Sequence, residues 1–292
     1  MSAQKNCVVI GIFDGVHQGH QALLTMAAQY GRVVVLTFFP HPTSVFAPER
    51  TPSQLVPLED RIHLLMKNGA DEVVVIDFTP EFAAMSPDEF IQKILIEKLK
   101  ADHVVVGANF TFGHKAAGTA EYLRASNKGF EVTVVGLEEN RGAPVSSSRI
   151  RHLITDGDVE RAADLLTRNF YLVGPVVHGE KRGREIGYPT ANIGLDSLAT
   201  IPADGIYAGW LTVGPNRWPT AISIGTNPTF PGVRGRQVEA YALDETDLDL
   251  YDQVANVEFV ARLRDTLKFD GLEPLLVQMA QDCLNAKQVL GL

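Results

Sequence analysis

CVVIGIFDGVHQGH, residues 7–20, passes from an unbroken apolar run into a turn holding three glycines and two histidines. The same alternation of β-branched runs and helical stretches continues outward: HQALLTMAAQYG, RVVVLTFF, LEDRIHLLMKNG and then EVVVIDF. Short apolar strands separated by amphipathic helices read as a parallel sheet joined by crossover helices.

The pattern goes on through SPDEFIQKILIEKLK, where Ser86 is placed to cap a helix with Pro87 at its first position. HVVVGANF, a helix near GTAEYLRASN, and EVTVVGL follow, giving five strands and a doubly wound α/β module. SSSRIRHLITDGDVERAADLL then reads as helix, broken at Gly157 and restarted by Asp158. The boundary is expected near Thr167, dividing the chain into domains 1–167 and 168–292.

Beyond it the character changes. YLVGPVVHG, YPTANIGL, GIYAGWLTV, WPTAISIG, VEAYAL and ANVEFVARL are short strands separated by Gly, Pro and Asn, with no long helix between them. They predict a small antiparallel β-barrel. DGLEPLLVQMAQDCLNAKQVL has apolar residues at helical spacing and is expected to be a terminal helix packed on that barrel.

The chain has 292 residues, beyond the common single-domain size of about 100–200, so two cores are expected. At 45% hydrophobic and 21% charged, it has the balance of an ordinary globular protein. A net charge of −9 argues against a broad nucleic-acid or anionic-lipid surface, while leaving room for a small basic pocket. Cys7 and Cys283, far apart in apolar or amphipathic settings, indicate neither a disulfide framework nor a zinc site. No apolar run nears the ~20 residues that span a bilayer, and MSAQKN leads straight into a strand, so the expected compartment is the cytoplasm.

In a parallel sheet, ligands sit beyond the carboxyl ends of the strands, which is where Gly11 to His20 falls. Glycine lets backbone amides approach an anion, and the helix that follows adds a favourable field. His17 and His20, one turn apart, face the same side. A single histidine in such a turn is more often a cap or a surface group; the pair beside Gly15 and Gly19 shifts the balance toward phosphate chemistry. Neither a G-x-x-x-x-G-K-[ST] loop nor a G-x-G-x-x-G fingerprint is present in this stretch.

HxGH resembles the signature of the nucleotidyltransferase superfamily. TFFPHPTSVF (37–46), VGANFTFG (106–113) and VSSSRIR (145–151) each resemble the FMN adenylyltransferase module of the bacterial FAD synthetase family. The resemblance implies that His17 and His20 are catalytic. It places ATP on Gly11, Phe13, Asp14 and Gly15 with the histidines, and Ser147, Ser148 and Arg151 as a clamp on the phosphates from the far side. His41 and Pro42 are implied to line the flavin side. Asn109 and Phe110 can meet a flat ring and its polar edge, though Phe110 and Phe112 read equally well as core aromatics. Many members have asparagine at the position of Ile12, threonine at that of Ser148, and Asp-Phe-Arg at that of Asn109-Phe110-Thr111. SSSRIR read alone is an ordinary helix cap with solvated arginines.

GEKRGREIGYPTANI, residues 179–193, read alone is a hairpin entering a strand. Thr190 and Asn192 alternate by two, so an extended chain points both the same way, and their hard oxygens suit Mg²⁺. The stretch resembles the riboflavin kinase domain, which implies Mg–ATP on Thr190 and Asn192 under a flap formed by Gly179, Gly183, Arg184, Gly187 and Pro189. It also implies Glu239 in VEAYALD as the general base. Glu239 taken alone is equally an edge-strand surface residue, and Tyr241 stands where many members have histidine. ISIGTNPTF (222–230) and LRDTLKFD (263–270) resemble the same domain, with Arg264 either helping to enclose the flavin or nucleotide or serving a structural salt bridge.

Together the motifs imply a bifunctional enzyme that phosphorylates riboflavin to FMN in the C-terminal module and adenylylates FMN to FAD in the N-terminal one. Mg²⁺ is the implied cofactor; ATP, riboflavin and FMN are the substrates. No nucleic acid or membrane partner is expected, and the oligomeric state stays open. The rival classes are an RNA-directed enzyme using HxGH and a flavin carrier without catalysis.

Overall fold

The computed structural model describes residues 5–126, 128–179, 183, 186–225 and 236–292. Contacts divide the chain into two compact units: residues 1–52 with 57–147, and residues 53–56 with 148–292.

The first unit is built on five parallel strands: β1 (Asn6–Ile10), β2 (Arg32–Phe39), β3 (Glu72–Asp77), β4 (Ala101–Gly107) and, after the short pair β5 (Thr111–Phe112) and β6 (Gly118–Thr119), β7 (Glu131–Val135). Their order is β3-β2-β1-β4-β7, so the chain reverses its direction of sheet growth between β1 and β4. The continuous apolar runs are explained by burial on both faces: Val8, Val9, Val35, Leu36, Val104 and Val105 are all inaccessible or nearly so. Ser86 caps its helix in a reciprocal box with Glu89 and with Pro87 at the start, as the sequence predicts. A minor hairpin, β8 (Glu139–Asn140) with β9 (Ala143–Pro144), ends the unit.

The second unit is a closed antiparallel barrel. Its strands are β10 (Phe170–Val177), β11 (Ala191–Ile193), β12 (Gly205–Val213), β13 (Asn216–Gly225), β14 (Gln237–Ala242) and β15 (Val254–Arg264), arranged β10-β11-β14-β13-β12-β15. Here burial alternates residue by residue, most plainly in β14, where Val238, Ala240 and Ala242 point inward and Gln237, Glu239 and Tyr241 outward. The helix Leu272–Leu290 packs on the outer wall through Ala286 and Cys283, against Ala208, Ala221 and Tyr241. None of the described helices is long and apolar enough to cross a membrane.

The helices Ser147–Thr155 and Val159–Leu166 follow the break foreseen at Gly157, with the Asp158 carboxylate accepting from the Arg161 amide. The sequence reading carried the first domain through Thr167, whereas contacts put residues 148–167 with the barrel. Their placement has a physical cause. Ala203 N–H donates to the Ile154 carbonyl, and Gly157 lies so close to the Arg262 guanidinium that a Cβ there would press on it.

Candidate active sites in the two units

The switch between β1 and β4 opens a cleft at their carboxyl ends, and the turn after β1 forms one wall. Phe13 and Val16 hold left-handed backbone angles (φ 56° and 42°), rare for bulky and β-branched residues, with Gly15 between them. Hydrogen bonds fix the carbonyls of this turn. Val16 N–H closes on the Phe13 carbonyl at 3.1 Å, Ser147 Oγ donates to the Asp14 carbonyl at 2.8 Å, and Gln21 Nε2 donates to the Val16 carbonyl at 2.9 Å.

His17 sits at the N-cap of the helix Gln18–Ala27, and its side chain makes no capping hydrogen bond. Its ring instead stacks on that of His20, centroids 3.6 Å apart, while Phe13 meets His20 edge-on at 5.1 Å. The His20 imidazole is held well below the usual pKa of 6.5, first by burial, then by the neighbouring charges of His17 and Arg61. It is therefore neutral near pH 7, and its Nδ1 is buried with no hydrogen-bond partner among the described residues.

A cavity of about 920 Å³ lies over this wall. Gly11, Phe13, His20, His41, Pro42, Asn109, Phe110 and Ser147 line it; Asp14, Gly15 and His17 of the same turn do not. Phe110 and Phe112 stack in parallel at 5.5 Å, the latter reaching the core and the former only partly covered. His41 caps the helix Pro42–Phe46, its Nδ1 accepting from the Thr43 amide at 3.2 Å. Ser148 and Arg151 belong to the second unit, where Arg151 Nε donates to the Ser53 carbonyl.

In the barrel, Asn192 on β11 pairs in register with Glu239 on β14, which pairs with Ser223 on β13. Directly paired residues share a face, so amide, carboxylate and hydroxyl stand side by side on the outer wall. Thr190, just before β11, donates from Oγ1 to the Glu239 carboxylate at 3.4 Å. β14 has neighbours on both sides, so Glu239 is not an edge-strand residue.

Close approach explains two glycines. A Cβ on Gly179 would overlap the Asn192 amide, and one on Gly183 the Tyr188 carbonyl. Gly187 has φ 87°, and Pro189 leads into Thr190. Arg184 lies outside the described residues, as does the segment 226–230 of the ISIGTNPTF motif.

A cavity of about 260 Å³ between this wall and the helix Leu272–Leu290 is lined by Thr190, Ser223, Glu239, Tyr241 and Arg264. Arg264 makes a bidentate pair with the buried Asp282, Nε to Oδ1 at 2.8 Å and Nη2 to Oδ2 at 2.5 Å, and its Nη1 donates to the Asp265 carbonyl. The salt-bridge reading of Arg264 thus holds in the structure, while the side chain still forms part of the cavity wall. Tyr241 packs edge-on against Tyr188 at 5.1 Å, giving the departure from histidine a wall-filling place. Sequence reasoning missed Ser223, Asp282 and the buried Arg61. For the latter two a signal existed: each is a charged residue spaced three or four positions from buried residues of its helix, Arg61 with Leu64 and Leu65, Asp282 with Ala286.

A sheet with a histidine pair at its switch point, and a barrel with a hard-oxygen cluster beside a carboxylate, define a two-module enzyme of phosphate and nucleotide transfer. The FAD synthetase family matches residues 1–149 and the riboflavin kinase family residues 166–290. Bifunctional riboflavin kinase/FMN adenylyltransferases are similar along nearly the whole chain. The protein from Listeria monocytogenes is 37% identical (94% of this chain, 89% of that one), and the one from Escherichia coli K12 is 35% identical (99% and 94%). A crystal structure described as a macrolide-efflux protein from Streptococcus pneumoniae superposes with a TM-score of 0.88 at 32% identity, covering 98% of this chain and 95% of that one. The chain belongs to the bifunctional riboflavin kinase/FMN adenylyltransferase family.

Proposed function

We propose that the two cavities divide the family's two reactions between them, riboflavin to FMN in the barrel and FMN to FAD at the parallel sheet. The carrying observation is that His20, His41, Asn109 and Ser147 of one motif set line the first cavity, Thr190, Glu239 and Arg264 of the other line the second, and neither cavity is lined by a residue of the other's set.

In the barrel, Glu239 takes the proton of the riboflavin 5′-hydroxyl as its oxygen attacks the γ-phosphorus of ATP and ADP departs. Thr190 and Asn192 beside it offer oxygens suited to Mg²⁺. No cluster of three or more His, Cys, Asp or Glu able to hold a metal occurs among the described residues. That fits an ion held mainly by nucleotide phosphates with one or two protein oxygens. When bound there, Mg²⁺ would neutralise phosphate charge. Gly179, Gly183, Arg184, Gly187 and Pro189 are assigned to the covering flap, and Arg264 to the flavin side of the wall.

At the sheet, a phosphate oxygen of FMN attacks the α-phosphorus of ATP, a new P–O bond forms and pyrophosphate leaves, with no covalent enzyme intermediate. His17, His20 and Ser147 oppose the charge that builds on the phosphates, with Gly11, Phe13, Asp14 and Gly15 shaping the turn. Ser148 and Arg151 keep the phosphate role their motif implies. His41, Pro42, Asn109 and Phe110 hold the flavin side. The cytoplasm is the compartment this reading assigns.

Incubation of the purified protein with riboflavin, ATP and Mg²⁺, followed by chromatography over time, tests the reading. FMN appearing before FAD supports it; FMN without FAD removes the assignment of the sheet cavity. No conversion at all favours a flavin carrier.

A further inference from the structure

The strained turn between β1 and its helix must be held from behind, and the holder lies outside the motif. Arg61, on the helix Leu58–Lys67, is only 3% exposed and reaches under the turn. Its Nη1 donates to the Ile12 carbonyl at 3.1 Å and approaches the Phe38 carbonyl at 3.5 Å. Thr37 Oγ1, fully buried on β2, donates to the same Ile12 carbonyl at 3.0 Å.

Two side-chain donors on one carbonyl fix the peptide plane that leads into Phe13. Phe13 then takes its left-handed backbone angle, and its ring meets His20 edge-on, with His20 stacked on His17. A Cβ at Gly11 would stand 3.1 Å from the Phe13 ring, so the ring is confined from that side too. Left-handed angles at non-glycine residues persist only where the surroundings over-determine them.

A buried guanidinium is also an expensive way to supply a hydrogen bond, since desolvating the charge costs far more than desolvating a neutral donor. A neutral side chain would serve a purely structural contact. A cation placed behind the site answers the charge that builds on the phosphates only as the reaction proceeds, so its loss acts on kcat rather than on ATP binding. Arg61 is one of the two charges that hold His20 neutral, which agrees with its closeness to the histidine pair.

We propose that Arg61 is a positioning residue of the adenylyl-transfer site: through the Ile12 carbonyl, shared with Thr37, it sets the Phe13–His20–His17 stack that faces the nucleotide phosphates. The inference rests on the adenylyl-transfer reading above.

The test uses the full chain with Arg61→Met and Arg61→Lys, measuring kcat and KM for FMN-to-FAD conversion, FMN affinity by flavin fluorescence, and riboflavin phosphorylation as an internal control. In Arg61→Met, kcat for FAD formation is expected to fall about 10- to 100-fold, the scale of a misplaced catalytic group. KM for ATP, FMN affinity and riboflavin phosphorylation should stay near the unsubstituted values. Arg61→Lys, which keeps a donor and the charge, should regain several-fold of the loss. An unchanged kcat in Arg61→Met overturns the inference, as does a fall matched by equal weakening of ATP and FMN binding, or no regain with lysine. If Arg61→Met does not fold, Thr37→Val removes the other donor to Ile12 at constant shape. A several-fold lower kcat with unchanged KM then supports the inference, and an unchanged kcat overturns it. Unsubstituted protein that makes FMN but no FAD sinks the adenylyl-transfer reading itself, a result distinct from an active protein indifferent to Arg61.

Discussion

Thr190 Oγ1 donates to the Glu239 carboxylate at 3.4 Å, although 49 positions separate the two in the chain. The pairing of β11 with β14 brings them together and aligns Asn192 with the same carboxylate. On the proposed reading, a carboxylate held beside this hydroxyl and amide accepts a proton next to bound phosphates. Glu239→Gln keeps size and polarity but cannot accept that proton. FMN formation should drop about 10²- to 10⁴-fold, the usual worth of a general base. FMN-to-FAD conversion should continue at its original rate, as read by chromatography of each reaction supplied with its own substrate.

The His17–His20 stack leads to the mirror result. His20→Ala should lower FMN-to-FAD conversion about 10²- to 10³-fold by removing one preorganised group at the phosphates. Riboflavin phosphorylation should be untouched. Loss of both activities in a folded single variant would contradict two independent sites.

Burial lowers the pKa of His20 below the ordinary 6.5, and it does the same for His103 on β4, against the opposing pull of Glu131. An unfolded chain then binds protons more readily than the folded one below about pH 6.5, so stability is complete above that value and declines as the pH falls. The urea midpoint of the N-terminal module should be lower at about pH 5.5 than at about pH 7.5, and His20→Phe should flatten the difference. A midpoint that ignores pH in the unsubstituted protein would count against neutral buried imidazoles.

Asp282 is 4% exposed and takes two hydrogen bonds from Arg264 and one from Gln278. Removing one partner of a buried ion pair leaves the other charge desolvated and unmatched. Asp282→Ala should therefore destabilise the barrel by about 3–5 kcal/mol. Urea unfolding followed through the barrel tryptophans, Trp210 and Trp218, would read it; a change near zero would mean water reaches the Arg264 guanidinium.

The strands of the parallel sheet were legible because burial on both faces leaves unbroken runs such as Val33 to Leu36, and the barrel because burial on one face leaves alternation such as Val238, Ala240, Ala242. That His17 and His20 stand together was legible from their i, i+3 spacing. What stayed hidden depends on register or on long-range approach. Nothing local in the sequence pairs Ser223 with Glu239, and nothing in LEDRIHLLMK says which carbonyl Arg61 will find. The grouping of residues 148–167 with the barrel by contacts was not legible for the same reason. An amphipathic helix declares that it has an apolar face, but not against which unit that face will lie.

The six barrel strands form a closed ring in which each has hydrogen-bonded neighbours on both sides, the short β11 bridging β10 and β14 over two positions on each side. A ring without a terminal strand offers a second chain less of a template on which to extend a sheet. The open parallel sheet ends instead in two free margins, β3 and β7, which carry Glu72 and Asp77 on one and Glu131 on the other. Edge-to-edge aggregation during synthesis at high copy number should thus start from the N-terminal module, where acidic side chains act as its gatekeepers.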